Sequence, residues 1–289
     1  MKLRKIFCPT DFSTAARAAE KQAGLLARAH RAELMLYHAV PTHSGTGRGF
    51  GDLLQDYLAQ AEAQVSNHFE KEAEELSRAG IRVKCVVEKS VNAFSGIVAQ
   101  ALSFEADLMV LSTHAGGGVE QSFLGSVSGK VLRHAPCSVM TVQPRAGLLT
   151  SDVSRRVLVP VDFSEGARRA VEVARALMSE QDSLLVLHVV HNPSLTGDYA
   201  GDPIRLFDID REMPQKLSSE LDAWLDGQDC EIEVREGNVA TTVLDVARQR
   251  EVDLLVTGTR GLTGIDYLML GSVAEKVVCG ATVPVVVAK

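Results

Sequence analysis

The chain has 289 residues, of which 46% are hydrophobic and 23% charged, so it is long enough for two domains and apolar enough to give each a core. Its formal charge of -7 supplies no overall basic field, which argues against nucleic acid as a main partner. No stretch approaches the roughly 18 apolar residues of a membrane span, and Met1 to Pro9 lacks the apolar run of a leader, so a cytoplasmic protein with no membrane partner is expected.

Along the chain, short Val, Ile and Leu runs alternate with longer segments of helical period, the pattern of a parallel sheet with crossover helices. Strands are predicted at Lys5 to Cys8, Glu33 to Ala39, Arg82 to Val87, Leu108 to Ser112 and Ser138 to Val142. A second set follows at Arg156 to Pro160, Leu184 to Val190, Glu231 to Val234, Leu254 to Thr257 and Pro284 to Ala288. Ser13 and Ser164 stand directly after the first strand of each set, where a hydroxyl can accept from a free backbone amide and start a helix. Leu54, Leu58, Ala61, Val65, Phe69, Ala73 and Leu76 fall three or four apart and read as the sheet-facing stripe of a helix rather than a cofactor box. Pro41 to Phe50 and His191 to Ile209 show no period and read as loops over the sheet's edge or ligand side. Cys8, Cys85, Cys137, Cys230 and Cys279 are odd in number and mostly lie in apolar runs, so reduced thiols are expected.

The two sets of strands are copies. Cys8-Pro9-Thr10-Asp11-Phe12-Ser13 returns as Val159-Pro160-Val161-Asp162-Phe163-Ser164, and Leu124-Gly125-Ser126-Val127 returns as Leu270-Gly271-Ser272-Val273. Two motifs that recur in the same order at similar offsets mark a duplicated domain. The expected domains are 1–147 and 154–289, each an α/β fold with a doubly wound, five-stranded parallel sheet.

The strongest chemical signal is Gly258-Thr259-Arg260-Gly261, followed after nine residues by Gly271-Ser272. It comes after the apolar strand ending at Thr257, and Gly271-Ser272-Val273 opens a helix. Glycines let the backbone approach a phosphate, while free amides and the helix dipole face it. A tight strand-to-helix turn would use the same glycines.

Gly258, Gly261, Gly271 and Ser272 complete the Gly-x2-Gly-x9-Gly-Ser/Thr signature of the universal stress protein family. The Pro-x-Asp-Phe-Ser stretch and Leu187 to Val190 also resemble that family, twice over nearly the whole chain. The resemblance implies adenine nucleotide, ATP, lying across the carboxyl ends of the strands, with magnesium arriving only on its phosphates. Pro160, Val161 and Asp162 would meet the ribose or phosphates, the alternative for Asp162 being helix capping beside Ser164. Val189 would meet adenine through its backbone or serve only strand packing. Gly258 to Gly261 and Gly271, Ser272 and Val273 would hold the phosphates, Arg260 adding charge or standing solvated. The resemblance also implies an internal pseudo-dimer in which Ser138 to Val142 meets Pro284 to Ala288, with a homodimer a further option.

The first copy departs from the signature. It reads Ser112-Thr113-His114-Ala115, then nine residues, then Gly125-Ser126, so both leading glycines are replaced and Ala115 puts a methyl group where close approach is needed. Gly116-Gly117-Gly118 could let the loop take another path, and an empty or regulatory first site is expected. His38, His114, His134 and His188 form no metal-ligand spacing, so hydrogen bonding is expected of them rather than metal. No hydrolase or kinase motif is present and no general base stands out. Three functions stay open: a nucleotide-dependent stress-response switch with protein clients of unknown identity, a slow ATPase or autophosphorylating enzyme, and a structural interaction module.

Overall fold

The computed structural model describes residues 2–41, 51–113, 124–144, 146–150, 153–190, 213–259 and 270–289, with the backbone alone at 41, 51–62, 213 and 214. Of the stretches expected to be loops, Pro41 ends a strand, while residues 42–50 and 191–209 lie outside the described residues, as do His114 to Gly118. The chain divides into two compact units, Lys2–Ser151 and Asp152–Lys289.

The first unit runs β1 (Lys5–Pro9), α1 (Thr14–His30), β2 (Glu33–Pro41), α2 (Gly51–Arg78), β3 (Arg82–Ser90), α3 (Ala93–Phe104), β4 (Leu108–Ser112), α4 (Ser126–His134) and β5 (Ser138–Val142). Its strands are all parallel, in the order β3-β2-β1-β4-β5. The second unit runs β6 (Arg156–Val161), α5 (Glu165–Leu177), β7 (Ser183–Val190), α6 (Met213–Trp224), β8 (Glu231–Glu236), α7 (Val239–Gln249), β9 (Leu254–Gly258), α8 (Ser272–Gly280) and β10 (Val285–Ala288). Its order, β8-β7-β6-β9-β10, is the same. The chain reverses its direction of winding between β1 and β4, and between β6 and β9. Right-handed crossovers then place helices on both faces and open a crevice at the carboxyl ends of those strands.

Burial explains which strands the sequence displays. The inner strand β9 is buried along its whole length and β4 at all but its last residue, so both read as unbroken apolar runs. The edge strand β3 is exposed or half-exposed at every position and carries charges that discourage further pairing. It runs three residues beyond the predicted Val87, because the polar residues Glu88, Lys89 and Ser90 continue the backbone ladder opposite Ala39, Val40 and Pro41. In the same way β8 reaches Glu236, opposite Val190.

Each first helix starts as its serine dictates. The Ser13 hydroxyl accepts from the Ala16 amide at 3.1 Å and the Ser164 hydroxyl from the Ala167 amide at 3.1 Å, satisfying one of the unpaired donors of the first turn. Small side chains at Ala16, Ala19, Ala23 and Ala27 are buried and let α1 lie close on the sheet. On α2, Phe69 is buried while Val65, Ala73 and Leu76 are half-buried, and their neighbours 66–68 stay exposed. That is the second part of the predicted stripe, and it covers the β2–β3 side; the side chains of Leu54, Leu58 and Ala61 lie outside the described residues.

Candidate functional site

In the second unit the three strand ends around the crevice enclose a cavity of about 330 Å³. Pro160, Val161 and Asp162 reach it from the end of β6, Val189 and Leu187 from β7, and Thr257, Gly258 and Thr259 from β9. Gly271, Ser272, Val273 and Ala274 close it from the start of α8, and Ala167 and Val239 from α5 and α7. Eight of the residues singled out in the sequence are thus brought together; Arg260 and Gly261 lie outside the described residues. Thr259, which falls within the range Gly258 to Gly261, joins the eight, and Leu187, Val239, Ala167, Thr257 and Ala274 line the cavity without having been assigned to it from the sequence. For Val239 the signal was topological: Asn238 caps α7 at the same end of the sheet, which becomes visible only once the strand order is known.

The β6–α5 junction is wound tightly. The Asp162 carboxylate accepts the Ser164 amide at 3.1 Å, so the capping role considered for it is present, and the same residue faces the cavity. Between them Phe163 adopts a left-handed conformation with φ 63°, which costs a non-glycine residue about 1–2 kcal/mol. Its ring is held against His188 at 5.1 Å and Trp224 at 6.0 Å, and the His188 Nδ1 lies 2.8 Å from the Val161 carbonyl, to which it donates. The first unit repeats this arrangement. There Asp11 accepts from Ser13, Phe12 has φ 59°, its ring stacks on His38 at 4.8 Å, and His38 Nδ1 lies 2.8 Å from the Thr10 carbonyl. The paired histidines are therefore hydrogen-bonding residues of the turn, and no metal-ligand cluster occurs among the described residues. A left-handed phenylalanine leaves no mark in a sequence.

Two backbone features give the cavity its chemistry. The Val190 carbonyl accepts from Gly237 on the β8 side at 3.0 Å. Alternation along a strand then points the Val189 carbonyl to the opposite side, where β6 ends with Val161 opposite His188. At the other end of the cavity, Gly271 caps α8 without any side-chain hydrogen bond, leaving the first amides of the helix and its positive dipole end for an anion. The end of β9 and the start of α8 are tied together by Gly271 N–H donating to the Thr259 carbonyl at 2.8 Å, as Gly125 N–H does to Thr113 at 3.0 Å in the first unit. One wall is apolar (Ala167, Leu187, Val239); the other carries Thr259, Ser272 and Asp162, the one carboxylate among the described lining residues.

The corresponding cavity of the first unit is about 160 Å³. Tyr37 stands where the second unit has Leu187. It is fully buried, its hydroxyl donates to Glu88 at 3.2 Å, and burial pushes its pKa up to about 12. Gly96 makes room for that hydroxyl, since a Cβ there would lie 2.4 Å from it; Thr242 occupies the equivalent position four residues after the cap of α7. A second difference lies beneath the turn. Where the second unit has Val161 and Val171, the first has Thr10 and Glu20, the threonine hydroxyl donating to the buried carboxylate. Glu20 in turn hydrogen-bonds Glu72 on α2. Burial, followed by the charge of Glu20 and that hydrogen bond, pushes Glu72 up to about 7.

Comparison with known proteins agrees with this architecture. Residues 2–143 and 154–289 each match the universal stress protein family. A universal stress protein of Methanocaldococcus jannaschii, MJ0531, is 30% identical over 141 residues, covering 47% of this chain and 82% of that protein. Universal stress protein Rv2623 of Mycobacterium tuberculosis is 31% identical over 198 residues, 65% of this chain and 63% of its own. Among solved structures, a universal stress protein from Archaeoglobus fulgidus superposes with a TM-score of 0.71 at 19% identity, covering 100% of this chain and 97% of that one, a likeness of fold. With both halves matched and a twice-repeated parallel α/β sheet, the chain belongs to the universal stress protein family.

Proposed function

We propose that the second unit binds ATP in the crevice between β6 and β9, and that the chain is a nucleotide-dependent regulator of a stress response rather than a metabolic enzyme. The observation that carries this reading is the uncapped start of α8 facing an apolar slot in one cavity. Adenine fits the wall of Ala167, Leu187 and Val239, with the Val189 carbonyl as an acceptor for its amino group. The phosphates belong at Gly271, Ser272 and Val273, and the glycine loop with Gly258, Arg260 and Gly261 completes their cradle. Asp162 is assigned to the ribose or the phosphates, with Pro160 and Val161 lining the turn. Magnesium would be carried in by the phosphates.

The first unit is proposed to leave this role. Its cavity has about half the volume, Tyr37 fills the slot, and Ala115 replaces a loop glycine. A cytosolic setting is supported by five cysteines carried as thiols. Protein clients are left to the surfaces around the site.

Turnover is expected to be slow or absent, because positioning without a general base supplies little chemistry. Mass spectrometry of the small molecule released on denaturing freshly purified protein should detect adenine nucleotide. Steady-state ADP release far below the enzyme median of about 10 per second supports a switch; release near that median would make the protein an ATPase.

A further inference from the structure

At the opposite end of the first sheet, where β1, β2 and β3 begin, a concavity of about 460 Å³ is lined by Lys2, Arg4, Lys5, Arg31, Arg82 and a single carboxylate, Glu33. For a chain of net charge -7 this is a local inversion of sign. Lys5 is tied to Glu105 at 2.8 Å. The nearby Asp107 is committed to the backbone amides of Arg4 and Lys5 at 2.7 and 2.9 Å. The Arg82 guanidinium donates to the Arg31 carbonyl at 3.1 Å, a contact that sets the two arginines side by side without neutralising either. Among the described residues no carboxylate pairs with Lys2, Arg4, Arg31 or Arg82, and all four are exposed.

The second unit is an internal control, because the same corner of the same fold there is neutralised. Glu33 N–H donates to the Arg4 carbonyl and Ser183 N–H to the Arg155 carbonyl, so Arg155 is the counterpart of Arg4 and Asp182 the counterpart of Ala32. Asp182 clasps Arg155 at 2.5 and 3.0 Å. Extending the register of β8 on β7 back from Glu231 opposite Leu185 puts Asp229 opposite Ser183, where the first unit has Arg82 opposite Glu33. Further along β8, Glu231 binds Arg250 at 2.7 Å and Glu233 binds it at 2.6 Å. The fold therefore does not require unpaired cations at this corner.

We propose that this concavity binds a small polyphosphate anion, through Arg4, Arg31 and Arg82. Guanidinium groups match phosphate oxygens with paired donors, and the volume falls in the range of small-molecule sites. Each contact at an exposed charge is weak on its own. Only a ligand that engages several cations at once is retained at ordinary salt, which selects closely spaced phosphates over a single one. The site is independent of the nucleotide crevice.

The test is residue-resolved amide NMR of the full chain titrated with sodium tripolyphosphate. Shifts should cluster at Leu3, Ala32 and Arg82. Orthophosphate should bind about tenfold or more weakly, and affinity should fall as salt shortens the Debye length. Arg4→Gln and Arg31→Gln should each weaken binding at least about fivefold. Arg169→Gln, which removes the same charge from an exposed position on α5, should leave it unchanged. ATP used in place of tripolyphosphate identifies the source: shifts at the same amides assign a nucleotide's phosphate tail, and silence there assigns a condensed inorganic chain. Shifts absent from this corner, equal affinity for orthophosphate, or equal losses from Arg4→Gln and Arg169→Gln would overturn the proposal.

Discussion

Gly258 lies against the backbone of Gly166 so closely that a Cβ on Gly258 would stand 2.8 Å from both the carbonyl carbon and the oxygen of Gly166. The last residue of β9 and the first turn of α5 thus touch through two glycines. The contact holds the Asp162-Phe163-Ser164 turn beside the loop base at Thr259.

Gly258→Ala should therefore destabilise the second unit by about 2 kcal/mol, since backbone rather than a flexible side chain must yield. It should also weaken ATP binding by displacing the turn. Trp224 is the single tryptophan of the chain and lies under the Arg168 guanidinium at 4.5 Å, so its fluorescence in a urea titration reads this unit separately. An unchanged midpoint would show that α5 does not depend on the glycine contact.

The Tyr37 and Gly96 pair makes a second prediction. Gly96→Thr alone should cost about 3 kcal/mol through overpacking against the Tyr37 hydroxyl. The double variant Tyr37→Leu/Gly96→Thr, which copies Leu187 and Thr242, should recover at least about half of that. Denaturant unfolding followed by probes in the first unit measures the coupling; additive losses would mean that the two residues do not exchange roles between the copies.

These cases show what the sequence could and could not display. Glycines 258 and 271, the capping serines and the buried strands were legible because backbone geometry and apolar runs constrain residue type directly. The polar ends of β3 and β8 were not, because an edge strand needs no apolar pattern to keep its ladder. Val239, Leu187 and the swap of Tyr37 with Gly96 depend on which strands become neighbours, and single-residue patterns carry no record of that. The sequence offers Gly258 as a phosphate glycine or a tight-turn glycine, and its packing against Gly166 is an additional reason for its lacking a side chain.

The Glu20–Glu72 pair sets a pH dependence in the first unit. Glu72 is raised to about 7 from an ordinary carboxylate value, and the groups facing the pair are Cys8 from β1, Arg17 from α1, His68 and Glu75 from α2, and Cys85 from β3. A raised folded-state pKa means that protonation favours the fold. The stabilisation is complete below the unfolded value near 4.5 and is lost as pH rises through about 7. At full strength such a displacement is worth about 3 kcal/mol, and with 24% of the Glu72 side chain in solvent screening reduces it to about 1–2 kcal/mol. Hydrogen-exchange protection of α2 and β3, corrected for intrinsic rates, should fall about tenfold between roughly pH 5 and pH 8. In Glu72→Gln it should not. An equal fall in both proteins would place the titration elsewhere.

One nucleotide per chain, held at α8, is the expected stoichiometry, and titration calorimetry with ATP tests it most directly. Ser272→Glu puts a negative charge at the first residue of α8, which suits the helix dipole but repels phosphate. Ser126→Glu does the same at α4 in the first unit. The parent and Ser126→Glu should bind a single ATP with equal affinity, and Ser272→Glu should lose about two orders of magnitude or more in affinity while keeping its fold. Two equivalent sites, no binding by folded parent protein, or loss of binding from Ser126→Glu but not from Ser272→Glu would contradict it.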